Sequence, residues 1–331
     1  MAEEFSVMRV RTEQDASERG GSQSSLVGPS AFFEGSRIGV LLIHGLTGTP
    51  KEMLTIAKRL HKYGFTVSCP VLAGHCGSKE DLLATNWHDW AASAEEGFFK
   101  LKEKTDLVFA GGISAGAVLC LYLAEKCPSV LSGMALYSIT LKWDGWSIPK
   151  YSFLLPYYLR LPYLGKRYHF VEAFPYGIKN ESLRKRIVTK MRSGDTAAAG
   201  HTNTPGASVR ELWRMVDQVK AGLSGIKTPA LFVHAENDDI ASLRSNARFA
   251  MDRMAGSTEL LSLKDSYHMV TVDQERHKVA DATADFFYRC LNQKEKEELS
   301  SRAVEKIPGQ KAEKPASLSR SLVRLDLPVM I

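Results

Sequence analysis

Gly112-Ile113-Ser114-Ala115-Gly116 stands between a short apolar run, Asp106 to Ala110, and a longer helix-forming run, Ala115 to Cys127. Gly-x-Ser-x-Gly at a strand-to-helix junction marks a turn so tight that its serine takes a strained backbone. Gly112 and Gly116 let strand and helix close on each other, because a β-carbon at either place would fill the gap. Such a turn lifts the Ser114 hydroxyl above the edge of a sheet. The N-terminus of the helix behind it favours negative charge there. Ser114 is therefore a candidate nucleophile, and a serine nucleophile needs partners from elsewhere in the chain.

The first partner is a pair of backbone N–H groups able to hold an oxyanion. Arg37 to Ile43 reads as a buried parallel strand, rich in Val, Leu and Ile. It runs into His44-Gly45-Leu46-Thr47-Gly48-Thr49-Pro50, and a helix is expected over Pro50 to Tyr63, with Thr49 as N-cap and Pro50 at its first position. The hole would then be built from the N–H groups of Leu46 and Ala115, with His44 a structural histidine. The second partner is a base, and the third an acid that orients it, in the chain order Ser, Asp or Glu, His. Pro229 to His234 reads as a strand ending in Ala235-Glu236-Asn237-Asp238-Asp239-Ile240, where an acid belongs. Thr258 to Leu263 reads as the next strand, and His268 lies in the loop behind it, ahead of an amphipathic helix expected from about Val272 to Asn292. An imidazole must take the serine proton, and a buried carboxylate must fix its tautomer.

These residues give the chain a specific resemblance. Phe32-Phe33-Glu34-Gly35 leads into the strand before His44 to Pro50. Gly74-His75-Cys76-Gly77 follows as a second turn, Asp89-Trp90 lies further on, and Ser266-Tyr267-His268 is followed by Asp273-Gln274-Glu275. Over about residues 30 to 292 the chain resembles the α/β-hydrolases, and within them the bacterial carboxylesterase and monoacylglycerol lipase group. The resemblance implies a mostly parallel central sheet flanked by helices, Ser114 as nucleophile, Asp238 as acid, His268 as base, and Leu46 and Ala115 as oxyanion donors. Ala241 stands three positions after Asp238, where the group usually has Val or Ile. This leaves Asp239 open as the acid, and Asp144, after the strand Gly133 to Ser138, is a third candidate.

The remaining sequence sets the surroundings. The hydrophobic content of 44%, charged content of 24% and net charge of +6 over 331 residues are those of an ordinary globular protein and point to no nucleic-acid partner. No apolar run approaches the length of a membrane span. Residues 1–30 are expected to be a flexible arm without a secretory core, and the odd count of five cysteines argues for reduced thiols, hence a cytoplasmic protein. Residues 31–140 and 225–292 are expected to form the core, 141–224 a cap, and 293–331 a disordered tail, although Leu322 to Val329 alternates partly like a strand. The cap is rich in aromatic and aliphatic side chains, and Phe153, Leu154, Leu155, Tyr157 and Tyr158 are candidates to line an acyl pocket. The expected activity is hydrolysis of small-molecule carboxylic esters without metal or organic cofactor. Acyl transfer or thioester cleavage by the same triad, and a catalytically silent ligand receptor, stay open.

Overall fold

The computed structural model describes residues 30–128, 130–149, 152, 154–160, 168–171, 173–192, 200, 203–306 and 322–324. Ten strands are found among them: β1 Ala31–Phe33, β2 Ile38–Ile43, β3 Thr66–Cys69, β4 Leu107–Ile113, β5 Leu131–Tyr137, β6 His169–Val171, β7 Asn203–Pro205, β8 Ala230–Ala235, β9 Thr258–Leu263 and β10 Leu322–Arg324. Eight of them make one sheet in the order β1-β3-β2-β4-β5-β8-β9-β10, and β6 pairs with β7 in a separate ribbon. The interior strand pairs are parallel, whereas β1 and β10 join the edges antiparallel. Every residue of β2 (IGVLLI) and of β8 (ALFVHA) is buried, as a parallel strand covered on both faces requires. One apolar cluster packs on each face. The helices Ala115–Lys126, Trp87–Lys102 and Gly206–Gly222 cover one side, and Leu54–Lys62 with Arg276–Cys290 covers the other.

The chain leaves β2 for β3 on one side and returns to β4 on the other. The sheet therefore has a topological switch point between β2 and β4, where a crevice opens at the strands' carboxyl ends. Ile43 pairs with Gly112, so the loop after β2 and the turn holding Ser114 leave the sheet side by side. Ala235 pairs with Leu263 in the same way, which brings out the Asp238 and His268 loops as neighbours. Residues 141–224 enter between β5 and β8 and carry the β6–β7 ribbon with the helices Leu155–Arg160, Glu181–Arg192 and Gly206–Gly222.

Several boundaries differ from the sequence expectations. The helix expected from Pro50 begins as a 3-10 turn, Pro50–Met53, whose Lys51 N–H donates to Thr49 Oγ1 at 3.2 Å, and turns α-helical at Leu54. The last core helix begins at Arg276 rather than near Val272, because the Asp273 carboxylate accepts the backbone N–H groups of Tyr267, Lys179, Asn180 and Gln274 and holds a turn there. A disordered tail over the whole of 293–331 is corrected. Gln293–Lys306 is a helix whose Leu299 is 2% exposed against the core, and Leu322–Arg324 pairs with β9. A reciprocal cap between Asn292 and Glu295 starts that helix, and one buried leucine, Leu299, is easily lost in a charged run. Residues 1–29, of the expected arm, lie outside the described residues. Among the described residues, no helix is long and apolar enough to cross a membrane.

Candidate active site

Ser114 sits at φ 55°, ψ −114°, the strained conformation the pentapeptide demands. The turn leaves no room for side chains on either side of it. A β-carbon on Gly112 would stand 2.3 Å from Gly116 C, and one on Gly116 would stand 2.3 Å from Ile43 O. A residue held there costs on the order of 1–3 kcal/mol. The turn is fixed by the Ser114 N–H, which donates to Tyr137 O at 2.9 Å, and by the helix Ala115–Lys126, which starts at once behind it. The Ser114 hydroxyl lies 3.1 Å from Thr140 Oγ1, whose own proton goes to Ser138 O at 3.1 Å, so Ser114 is the donor of that pair.

His268 and Asp238 meet below the same crevice. His268 Nδ1 is 2.9 Å from Asp238 Oδ2, and the two are 6% and 3% exposed. Oδ1 of Asp238 also accepts the N–H groups of Ile240 at 2.9 Å and Ala241 at 2.8 Å. Burial works against both charges. The facing imidazole nevertheless holds the Asp238 carboxyl below its ordinary range, and Asp238, with Asp239 and Glu52, holds His268 above its ordinary value. The Ser-Tyr-His and Asp-Gln-Glu segments form one clasp around this histidine. Tyr267 N–H donates to Asp273 Oδ2 at 3.1 Å, while Ser266 Oγ and the Asp265 N–H donate to Glu275 Oε2 at 2.9 Å.

The two competing acids have other partners. Asp239, 1% exposed, accepts the His268 N–H at 3.1 Å and the Gly177 N–H at 3.0 Å, and so ties the base loop to the cap. Asp144 accepts the Ser242 N–H and hydroxyl, each at 2.9 Å, and Asn246 Nδ2 at 3.2 Å, which buttresses the loop beyond Asp238. Of the three, Asp238 faces the imidazole nitrogen. The contact roles of Asp239 and Thr140 were not legible in the sequence; a second Asp beside the first was a signal for Asp239, and Thr140 carried none.

The loop after β2 packs against the serine turn, since a β-carbon on Gly45 would stand 3.6 Å from Ser114 Cβ. His44 lies beneath it with Nδ1 donating to Gly45 O at 2.8 Å and Nε2 accepting the Leu72 N–H at 3.2 Å. Burial pushes its pKa down to about 4, so it is a neutral brace. Leu46 in this loop lines the same cavity as Ser114, and Ala115 is the first residue of the helix behind the serine.

Ser114, His268, Leu46 and Glu52 open into a cavity of about 780 Å³. Its apolar wall is supplied by Trp143, Ile148, Leu155, Phe170, Ile187, Leu212, Met269 and Val272. Of the acyl-pocket candidates, Leu155 lines it. Leu154 and Tyr157 do not; they are 53% and 68% exposed on the outer face of their segment. Phe153 and the side chain of Tyr158 lie outside the described residues. The wall residues come from segments far apart in the chain, and the aromatic-rich stretch 153–158 contributes Leu155 among its described side chains. Among the described residues, no group of three or more His, Cys, Asp and Glu could hold a metal ion.

The chain is similar to known hydrolases in sequence and in fold. The Hydrolase_4 family model, described as serine aminopeptidase S33, matches residues 35–275. A thermostable monoacylglycerol lipase from Bacillus sp. (strain H-257) is 31% identical over 264 residues, covering 79% of this chain and 95% of that protein. A carboxylesterase from Bacillus subtilis (strain 168) is 24% identical over 268 residues, covering 79% of this chain and 97% of that protein. The solved monoacylglycerol lipase of Paleococcus ferrophilus superposes with a TM-score of 0.67 at 19% identity, over 80% of this chain and 100% of that one, a likeness of fold.

Proposed function

Because the chain belongs to the Hydrolase_4 family of α/β-hydrolases, we propose that it hydrolyses carboxylic esters of apolar acyl chains, with Ser114 as nucleophile, His268 as base and Asp238 as acid. The observation that carries this reading is the His268 Nδ1 to Asp238 Oδ2 contact of 2.9 Å, with His268 and the strained Ser114 lining one apolar cavity. Ser114 Oγ leaves Thr140, turns its proton to His268 Nε2 and attacks the ester carbonyl; such bonds are often unmade in a resting site. The oxyanion takes the Leu46 and Ala115 N–H groups. His268 returns the proton to the leaving alcohol, then draws one from water, which clears the acyl-enzyme. The apolar wall holds the acyl chain, and a cytoplasmic setting fits the five free cysteines.

The test is labelling by a fluorophosphonate together with rates on p-nitrophenyl esters and 1-monoacylglycerols from acetyl to dodecanoyl. Wild type should label and prefer chains longer than acetyl, and Ser114→Ala should do neither. Faster turnover of aminoacyl p-nitroanilides than of every ester, or acyl transfer to added acceptor outrunning hydrolysis, would overturn the ester-hydrolase reading.

A further inference from the structure

Residues 45–49 form the short loop that presents the Leu46 N–H, and two side chains hold it from inside. His44 braces Gly45 O, as described. The second is Glu52, from the turn that follows: its Oε2 accepts the Gly45 N–H at 3.1 Å, and the Thr49 N–H also favours its ionised form. The carboxylate lies against Gly48 so closely that a β-carbon there would stand 2.2 Å from Oε1 and 2.5 Å from Oε2. A β-carbon on Gly45 would stand 3.6 Å from Oε2 and 3.6 Å from Ser114 Cβ, so the carboxylate and the serine both pack against this one residue.

We propose that Glu52 is a positioning residue of the reaction, the strut around which residues 45–49 fold so that the Leu46 N–H meets the oxyanion. The inference rests on the assignment of Leu46 as an oxyanion donor. A Thr-x-x-Glu capping box explains the Thr49 contact. It does not explain the Gly45 bond, because Gly45 lies four residues before the N-cap, on the loop that touches the serine turn. A helix cap alone needs only the first contact; the second fastens the helix start to the reacting centre. The placement also has a cost that a cap on the surface would not carry. Burial pushes the Glu52 pKa up to about 7, even though both backbone N–H groups and His268 favour its charged form.

Four variants test this: Glu52→Ala, Glu52→Gln, Gly48→Ala and the Gly48→Ala/Glu52→Ala pair. Each is read by kcat and KM on acetyl and octanoyl esters and by melting temperature. Losing one oxyanion donor costs about 10²–10³ in kcat, and a displaced donor should cost part of that. Glu52→Ala should therefore lose about tenfold to a hundredfold in kcat on both esters, with KM within about twofold. Glu52→Gln keeps an acceptor for Gly45 and should stay within about fivefold of wild type. Gly48→Ala should reproduce the loss with the carboxyl group intact, and the pair should lose no more than Glu52→Ala alone. A lowered melting temperature with kcat unchanged would make Glu52 a helix cap and nothing more. A raised KM with kcat unchanged would make it a substrate contact; either result overturns the proposal. If Glu52→Ala does not fold, Gly48→Ala decides, and wild-type kcat in that variant overturns the proposal. Fluorophosphonate labelling of wild type and its absence in Ser114→Ala check the site itself. Activity retained by Ser114→Ala would be a failure of that reading and not of the Glu52 strut.

Discussion

Replacing Asp238 by Asn tests how the carboxylate divides its bonds. Oδ1 accepts the Ile240 and Ala241 N–H groups at 2.9 and 2.8 Å, and His268 Nδ1 lies 2.9 Å from Oδ2 and 3.0 Å from Oδ1. An asparagine keeps its carbonyl oxygen where the two backbone donors are, since turning its NH2 there would set donor against donor in a buried site. Its NH2 then stands at the Oδ2 position and donates to Nδ1. With Oδ1 already accepting two N–H groups, the NH2 contact favours the imidazole tautomer protonated at Nε2, the nitrogen that must accept the serine proton. The expected loss is about 10⁴ in kcat, or about 5.5 kcal/mol in the barrier. Asp239 behaves differently because its two oxygens accept separate N–H groups, of His268 and Gly177. Either orientation of an asparagine there opposes one of them, at a cost of about 1–3 kcal/mol in stability. The tautomer is still set by Asp238, so Asp239→Asn should lower the melting temperature while losing less than about tenfold in kcat. Asp144→Asn should also lose less than about tenfold, its bonds lying with Ser242 and Asn246. The assay is p-nitrophenyl butyrate hydrolysis normalised to folded protein, with melting curves for each variant. A larger kcat loss in Asp239→Asn than in Asp238→Asn would refute the assignment and the bond-by-bond reasoning behind it.

Other outcomes follow from the same geometry. Ser114→Ala should lower kcat by about five to six orders of magnitude and leave the fold intact, which circular dichroism checks. Each methylene buried in the cavity should add up to about 0.8 kcal/mol, or about fourfold in kcat/KM. Leu155→Trp should therefore cut the gain for long chains and spare acetyl esters. Leu154→Trp, on the exposed side, should leave the series unchanged, and equal effects of the two would refute the placement of the wall. The acid limb of kcat/KM should fall above pH 6.5, because His268 titrates above that ordinary value and works as the neutral base. Its protonation stabilises the fold fully below the unfolded pKa, and that contribution is lost as pH rises through the folded one. An acid limb below pH 6.5 in wild type would contradict the electrostatics of the Asp238 pair.

The fold and the candidates for the reacting residues were legible in the sequence because both depend on local rules. A glycine two places on each side of Ser114 is dictated by a turn that no β-carbon fits, and an all-apolar β2 by burial on both faces. Acid and base could be placed on loops by counting strands, since parallel strands deliver their following loops to the same edge. Choosing between Asp238 and Asp239 was beyond that reasoning. Adjacent residues in a loop point in different directions, and only the packed structure decides that one carboxylate meets Nδ1 and the other the His268 N–H. The cavity wall was likewise decided by tertiary structure. Trp143, Phe170, Ile187 and Leu212 converge from separate cap segments, whereas neighbours Leu154 and Leu155 diverge to solvent and cavity. The bond of Glu52 to Gly45 likewise depends on the turn that brings the helix start back against its own loop. Composition and periodicity record which residues must be buried; which groups touch is set by chain reversals whose geometry no single segment contains.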